Sequence, residues 1–396
     1  MILLASAILR TVLVGVDSPP CPPNFERLRY NEDYACLEED DASVLPKRLN
    51  LGSIYSLTVG GELRQRLTYV KNFEFGASQT NGDWYNTQRY FVHLDQRLFR
   101  DLQVFVQVGS LVQVDLETGP SPIERNDFDL LQGFARYDAG WLRPWAGRRV
   151  LQFGSQRLVS RREGPNVRRT FDGAGFEFDS EWLQGHLFLS REVEVRPDGI
   201  FNDWETTSPE LWGTYFTAPV RLGSLDIYYL GTHFESASYA RGEGPEDRHS
   251  FGARWFGERA EWDWDLEGIF QTGTFGEDTP IRAWTVASTT GYTLADIEWQ
   301  PRLAVSANIA SGDGDGGRLT AFSALFPRGN YFSEAAVLGP RNFYNAHAFL
   351  TIAPTAGWSH TVDVNWYWRL RDEDGVYGPP GNVILNSGGG GQLVTT

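Results

Sequence analysis

The chemically most distinctive part of the chain is the segment GRRVLQFGSQRLVSRREGPNVRRTFDG at 147–173, which is unusually rich in arginine. Its seven arginines are Arg148, Arg149, Arg157, Arg161, Arg162, Arg168 and Arg169. A guanidinium presents a planar fork of N–H donors that matches a carboxylate or a phosphate in two parallel hydrogen bonds. All but two of the 35 basic residues of the chain are arginine, the exceptions being Lys47 and Lys71. The residue type therefore predicts contact with anionic groups.

The overall charge limits which anions are candidates. The formal net charge is −16 at pH 7, and a nucleic-acid-binding domain would be basic. We therefore expect no nucleic-acid partner, and the arginines must act locally. The composition, with 42 glycines, 14 tryptophans and a single methionine, favours many short strands joined by glycine-rich turns.

Alternating apolar and polar residues predict strands along most of the chain. The candidate strands are 58–71, 88–99, 102–115, 127–138, 144–154, 171–180, 184–194, 211–219, 223–231, 249–256, 261–272, 281–290, 296–310, 343–353 and 357–370, with a further strand near 386. Very short connections, such as 100–101, 139–141, 181–183, 257–260 and 354–356, separate them at one end. The other connections are long and polar: 72–87, 116–126, 155–170, 195–210, 232–248, 311–342 and 371–385. This segregation is typical of outer-membrane barrels, which have periplasmic turns and external loops.

The two faces of the strands support the same architecture. In WDWDLEGIFQ, at 262–271, apolar residues alternate with Asp263, Asp265 and Glu267. A soluble β-sandwich would show the same alternation, but the loop pattern favours a barrel with lipid outside and a polar lumen. The predicted fold is therefore all-β, a transmembrane antiparallel up-and-down β-barrel of the outer-membrane type. Tryptophans near strand ends are expected to form the interfacial girdles: Trp141, Trp145, Trp182, Trp262 and Trp358.

The N-terminus carries an apolar run from Ile2 to Val16 that is interrupted by Arg10. The run is too short to span a bilayer as a helix. It predicts a degraded export signal over 1–20, with an apolar N-terminal tail as the alternative. Cys21 and Cys36 lie close together in the sequence; a small disulfide loop and two reduced thiols remain equally open.

Several stretches, taken together, resemble the alginate export family of bacterial outer-membrane barrels. They are RYNEDY (29–34), VGGELRQRLTYVKNFEFG (59–76), QRYFVHLDQRLFRDLQVFVQVGS (88–110), the arginine-rich segment 147–173, SGDGDGGRLTAFSALFP (311–327) and YWRLRDEDGVYG (367–378). The resemblance implies an eighteen-stranded barrel with an arginine-rich lumen, loops that gate the pore, and export of a polyuronate. It also implies a periplasmic lead-in at 21–56 and a barrel at 57–396.

Two positions depart from the family pattern. Val150 stands where the family usually has a carboxylate, two residues after the arginine of its "GR" pair. The sequence ends in GGGGQLVTT, without a terminal aromatic strand, and the strand count of fifteen or sixteen falls short of eighteen. We therefore expect about two strands to be missing, since an unpaired strand edge in lipid is costly.

The candidate substrate path consists of arginines in two positions. Strand parity predicts Arg64, Arg66, Arg89, Arg97 and Arg148 on the barrel wall, and the loop holds Arg157, Arg161, Arg162, Arg168 and Arg169 at the mouth. Such arginines could form an electropositive path for an anionic polymer. Alternatively they pair with lumen carboxylates, for which the candidates are Glu62, Asp95, Glu177, Asp263, Asp265 and Glu267. Both interpretations can hold at once.

The remaining motifs give little sign of catalysis or metal binding. Asp313 and Asp315 in SGDGDGG resemble part of a calcium loop, but the glutamate that such a loop requires is missing. A flexible loop is favoured, and the family resemblance implies that it helps to gate the pore. No catalytic signature is present, so neither an enzyme nor a cofactor is expected.

The sequence as a whole predicts a bacterial outer-membrane channel that exports an anionic, alginate-like polysaccharide. The alternatives are a general porin for small anions or organic acids and a plugged structural barrel, because a fold does not fix its cargo. The expected partners are the polysaccharide, outer-membrane lipid, the barrel assembly machinery and periplasmic export components. We expect the barrel to be a monomer.

Overall fold

A computed structural model describes residues 25–34, 48–50, 54–71, 82–99, 101–204, 209–314, 316–332, 336–355 and 357–386. A short 3-10 helix spans Arg29–Asn31, and every other regular element is a strand. The strands are β1 (Arg48–Asn50), β2 (Tyr55–Val70), β3 (Asp83–Leu98), β4 (Leu102–Val114), β5 (Asn126–Tyr137), β6 (Leu142–Arg149), β7 (Phe171–Asp179), β8 (Gln184–Glu192), β9 (Glu210–Pro219), β10 (Ser224–Tyr239), β11 (Gly242–Arg259), β12 (Trp262–Phe275), β13 (Thr279–Thr293), β14 (Arg302–Ala310), β15 (Phe343–Thr355), β16 (Trp358–Arg369), β17 (Val376–Tyr377) and β18 (Val383–Leu385). Among the described residues, no helix is long and apolar enough to span a lipid bilayer.

Strands β1 to β16 form one sheet in which each strand pairs antiparallel with its neighbours in chain order. Strands β17 and β18 form a separate hairpin. The meander confirms the predicted all-β, up-and-down class, and the fifteen predicted strands correspond to β2 through β16. Within the described residues, no pairing joins β16 to β1 or β2. The missing strands and the domain boundaries stay predictions, and residues 1–20, Cys21 and Cys36 lie outside the described residues.

Several predicted boundaries were wrong. β3 starts at Asp83 rather than 88 and β6 ends at Arg149 rather than 154, and two further differences have identifiable reasons. The expected long loop at 232–248 is instead the end of a long hairpin, in which β10 runs to Tyr239 and β11 starts at Gly242. Its polar residues satisfy one another, since Arg248 contacts both Glu246, at 2.8 Å, and the Tyr239 hydroxyl, at 2.7 Å. The strand predicted from 296 starts only at Arg302, after a turn with positive φ.

Side chains alternate between an exposed apolar face and a buried polar face. On β2 the side chain of Leu63 is 74% exposed, whereas the neighbouring inward positions hold Glu62 and Arg64. On β3 Arg89 is fully buried although the adjacent Tyr90 is exposed. Apolar residues outside and charged residues inside are the inverse of a soluble protein, and they fit a barrel wall in lipid.

The tryptophan girdle is largely as expected, with one correction. Trp141, Trp182, Trp262 and Trp358 are exposed next to the short turns. Trp145 is buried and points inward, so its assignment to the girdle was wrong. The reason is local: Trp145 pairs across strands with Gly175, whose missing side chain leaves space for the indole ring.

The interior is filled by chain segments that fold inward between strands. Residues 150–170 and the described part of 311–342 pack together there, because Ser160 N donates to Phe326 O at 3.0 Å and Phe326 N donates to Leu158 O at 2.8 Å. Val159, Leu319 and Phe326 are almost fully buried in the main hydrophobic cluster. The apolar core therefore lies inside the sheet, and these segments fix the positions of the arginines that they carry.

The RYNEDY segment also lies inside. The Tyr30 ring packs edge-on against Phe105 and Phe134. The backbone carbonyl of Tyr30 accepts a hydrogen bond from Gln103 Nε2 at 2.9 Å. The Tyr30 hydroxyl donates to Val150 O at 3.3 Å. Val150 is buried in this same cluster, so the position that departs from the family pattern has an apolar packing role in this chain.

Candidate functional site

The centre of the candidate site is formed by wall arginines on β2 and β3. Arg64 and Arg89 face each other in register across the two strands. Arg89 donates to Pro165 O at 2.7 Å and to Asn166 O at 3.0 Å, and Arg64 donates to Glu163 O at 2.8 Å. The wall arginines thus hold the inward-folded segment 150–170 through hydrogen bonds to its backbone carbonyls.

One carboxylate, that of Glu163, sits among these guanidinium groups. Its oxygens lie 2.7 Å from Arg89, 3.1 Å from Arg161, 3.1 Å from Arg168 and 3.7 Å from Arg64. Burial alone would raise the pKa of Glu163, but the attraction of Arg168 and Arg89 outweighs it and lowers the pKa to about 2. The carboxylate is therefore ionised at neutral pH.

A second carboxylate, Glu62 on β2, ties the same arginines to the wall. It accepts from Arg89 at 3.0 Å and from Arg168 at 2.8 Å. Arg66, one inward position further along β2, donates to Gly164 O at 2.6 Å and contacts Glu124 at 3.3 Å. Burial raises the pKa of Glu124, with Arg66 acting in the opposite sense.

Arg148 and Arg157 lie apart from this centre. Arg148 makes a two-pronged contact with Asp172, at 2.8 and 2.9 Å, and donates to Asp203 O at 2.7 Å. Arg157 contacts Glu267 on β12 at 2.7 Å and the Tyr331 hydroxyl. Arg157 therefore links the inward-folded segment to a distant strand, whereas Arg148 joins β6 to the adjacent β7.

The last three candidate arginines have more local contacts. Arg162 donates to Val167 O at 3.2 Å, and burial together with the nearby Arg169 lowers its pKa to about 10. Arg169 contacts Glu192 at 2.7 Å. Arg97 contacts Asp95 at 3.2 Å near the short-turn end of β3, with a side chain that is one-third exposed.

The six candidate carboxylates all have arginine partners. In addition to the contacts of Glu62, Asp95 and Glu267 given above, the pairs are Glu177 with Arg136 and Arg149, Asp263 with Arg302, and Asp265 with Arg254. These ion pairs lie within one strand, join strands that are one or two apart, or connect the wall to the filling segments. The interior is thus polar but locally compensated.

Sequence reasoning missed several interior arginines. Arg254 on β11 and Arg302 on β14 lie on the inward face, and extending the strand parity to those strands would have found them. Arg149 alternates in step with the buried, inward Trp145, whereas Arg148 shares the face of the exposed Ala146. The prediction that Arg148 points inward was therefore wrong, because it took the wrong face of β6 as the lumen face. The Arg149 guanidinium lies 4.6 Å from the centre of the Trp145 ring, a cation–π contact that sequence spacing does not reveal.

The candidate gating segment is anchored in the described structure. Asp313 pairs with Arg241 and accepts from Thr320 N at 3.0 Å, while its own N–H donates to Asp374 at 2.7 Å. Asp315 lies outside the described residues. Within the described part of the chain, no group of three or more His, Cys, Asp or Glu side chains could hold a metal ion. The role of this segment as a gate stays a prediction.

An antiparallel meander with an apolar outer face and an arginine-rich interior defines the class of outer-membrane β-barrel channels. Pseudomonas aeruginosa OccK5 (OpdH) superposes with a TM-score of 0.50 at 9% identity, over 80% of this chain and 82% of that one. Acinetobacter baumannii OccAB1 does so with a TM-score of 0.52 at 11% identity, over 79% and 80%. At such identities the likeness shows the fold alone.

The family follows from the sequence itself. The alginate export family matches residues 55–394, which is most of the chain, and the chain belongs to this family. No curated protein matches it. The protein is accordingly an outer-membrane protein of a bacterium, with a barrel whose short turns and long inward-folding segments lie at opposite ends.

Proposed function

We propose that this protein exports an anionic, alginate-like polysaccharide through its arginine-lined interior. One observation carries the proposal: Arg64, Arg89, Arg161 and Arg168 form a continuous group around the shared acceptor Glu163, and Arg66 extends the group along β2 by donating to the adjoining Gly164 O. Membership of the alginate export family supports the substrate class.

The mechanism is electrostatic and involves no covalent step. A polyuronate carries one carboxylate on each sugar, and a guanidinium can bind a carboxylate in two parallel hydrogen bonds. Several moderate sites in sequence suit passage better than one tight site, because each carboxylate must also leave. The filling segments 150–170 and 311–342 must shift for a polymer to pass. Insertion by the barrel assembly machinery, periplasmic export partners and a monomeric state belong to the same proposal.

Planar-bilayer conductance tests the proposal. We expect an anion-selective current that alginate oligomers block, and a weaker block after Arg64→Ala or Arg66→Ala. A small-anion porin would conduct but stay indifferent to oligomer length, and a plugged structural barrel would give no channel. A cation-selective pore that ignores oligouronates would refute export of a polyanion.

A further inference from the structure

Glu163 differs from the other interior carboxylates in where it is attached. The six carboxylates that pair on the wall belong to strands, whereas Glu163 is carried by the inward-folded segment between β6 and β7. Among the described residues it is also the carboxylate with the most arginine partners, four, whereas Glu62 and Glu177 have two each. Arginines of the barrel wall therefore contact Glu163, although Glu163 does not belong to a wall strand.

The geometry around Glu163 is that of a carboxylate bound to a receptor. One oxygen faces Arg89 at 2.7 Å, and the other faces Arg161 and Arg168, each at 3.1 Å. Arg89 is fully buried, so its guanidinium is a desolvated donor whose position the fold determines. The side chain of Glu163 is nevertheless 39% exposed, so water reaches this residue inside the barrel.

The arginine group keeps a positive surplus around this carboxylate. Four arginines face Glu163, and Glu62 is the wall carboxylate that contacts two of them, Arg89 and Arg168. If Glu163 withdrew, Arg89 and Arg168 would keep their contacts to Glu62 on the wall. Of the two carboxylates among the described residues that contact the four guanidiniums, only Glu62 would then remain. A buried guanidinium without a partner is energetically costly. Another anion is therefore expected to take the place of Glu163 when its side chain leaves.

We propose that Arg64, Arg89, Arg161 and Arg168 form a binding site for the carboxylate of a uronate residue, which Glu163 occupies as an internal stand-in. The identity of the ligand rests on the export function proposed above. Entry of a uronate displaces the Glu163 side chain and loosens the segment that carries it. A Cβ added at the adjoining Gly164 would meet nothing within 4 Å, so there is open space beside the backbone next to Glu163.

The test uses the full-length protein in detergent and tri-mannuronate as the probe, with calorimetric titration as the measurement. Glu163→Gln keeps the side-chain shape but removes the competing charge, and we expect it to bind tri-mannuronate about tenfold more tightly than the native chain, as for a competitor worth about 1.4 kcal/mol. Asp263→Asn is the matched control, since it removes one interior charge from a pair with a single arginine, Arg302. We expect its affinity to stay within about twofold of the native value.

A second measurement does not depend on a folded variant. In the native chain, tri-mannuronate should speed amide hydrogen exchange in 160–168, because displacement of Glu163 releases the segment. Unchanged or slower exchange there, or native-like affinity of Glu163→Gln, would overturn the stand-in role. If no variant binds tri-mannuronate but Glu163→Gln binds the non-sugar tricarballylate more tightly than the native chain, the carboxylate site stands and polysaccharide export fails.

Discussion

Replacing Arg89 by alanine should release the inward-folded segment from the barrel wall. Arg89 is fully buried and donates to Glu62 at 3.0 Å, to Glu163 at 2.7 Å and to Pro165 O at 2.7 Å. Removing one partner of a buried ion pair typically costs 3–5 kcal/mol, because the other charge stays buried and unpaired. Arg168 still contacts both carboxylates, so we expect the low end of that range, about 3 kcal/mol.

The assay is urea unfolding of the detergent-solubilised protein, followed by tryptophan fluorescence, with hydrogen exchange over 160–168 as a local readout. The control is Arg143→Ala, which removes a pair of contacts to Asp138 and Asp179 that are about 40% exposed or more. Such surface pairs contribute about 0–1 kcal/mol. The reasoning fails if Arg89→Ala costs no more than the control and leaves exchange in the segment unchanged.

Three further predictions concern pH, packing and the lipid face. Because the folded-state pKa of Glu163 is lowered to about 2 from its ordinary 4.5, its stabilisation is present above pH 4.5 and is lost as the pH falls towards 2. Protection factors in 160–168, which relate the observed exchange to the intrinsic rate at each pH, should therefore fall over that window, and Glu163→Gln should remove this fall. Gly175→Ala should cost stability or shift the Trp145 emission, since a Cβ there would lie 2.4 Å from Leu187 O and 2.9 Å from the indole nitrogen; a native emission spectrum and melting curve would contradict it. Leu63→Arg places a charge at an outer position that is 74% exposed. Near the bilayer midplane this change should lower the free energy of unfolding in lipid by about 2–4 kcal/mol. Equal stability of the variant and the native chain in lipid vesicles would contradict the lipid-facing assignment.

Much of the wall was predictable because strand alternation is a local signal. The period-two pattern around Arg64 and Arg89 fixes which side chains share a face, and it needs no knowledge of the rest of the chain. It failed where local polarity misled: the hairpin around Arg248 reads as a polar loop because its charges are matched only by cross-strand neighbours. The inward direction of Trp145 depended on the empty space at Gly175, which is likewise a cross-strand property.

The filling of the barrel was not predictable from alternation, because it depends on contacts between distant segments. The sequence places Arg157 in a loop, but only the fold brings it to Glu267 on β12. The same holds for Glu163, whose sequence context is that of an ordinary loop glutamate after two arginines. Its four arginine partners come from β2, from β3 and from its own segment on both sides of it, Arg161 before and Arg168 after. Sequence spacing could locate the arginines but could not say which carboxylate each one holds.

The pairing of the interior arginines bears on how a polyanion could be moved. A channel lined by unpaired guanidiniums would attract an anionic polymer strongly and release it slowly. Here Arg89, Arg157 and Arg168 already hold internal carboxylates. In the proposed mechanism an entering uronate exchanges with a carboxylate of the protein, so the net gain per site is the difference between two similar interactions. A small difference at each site would allow the proposed channel to favour anions and still release them.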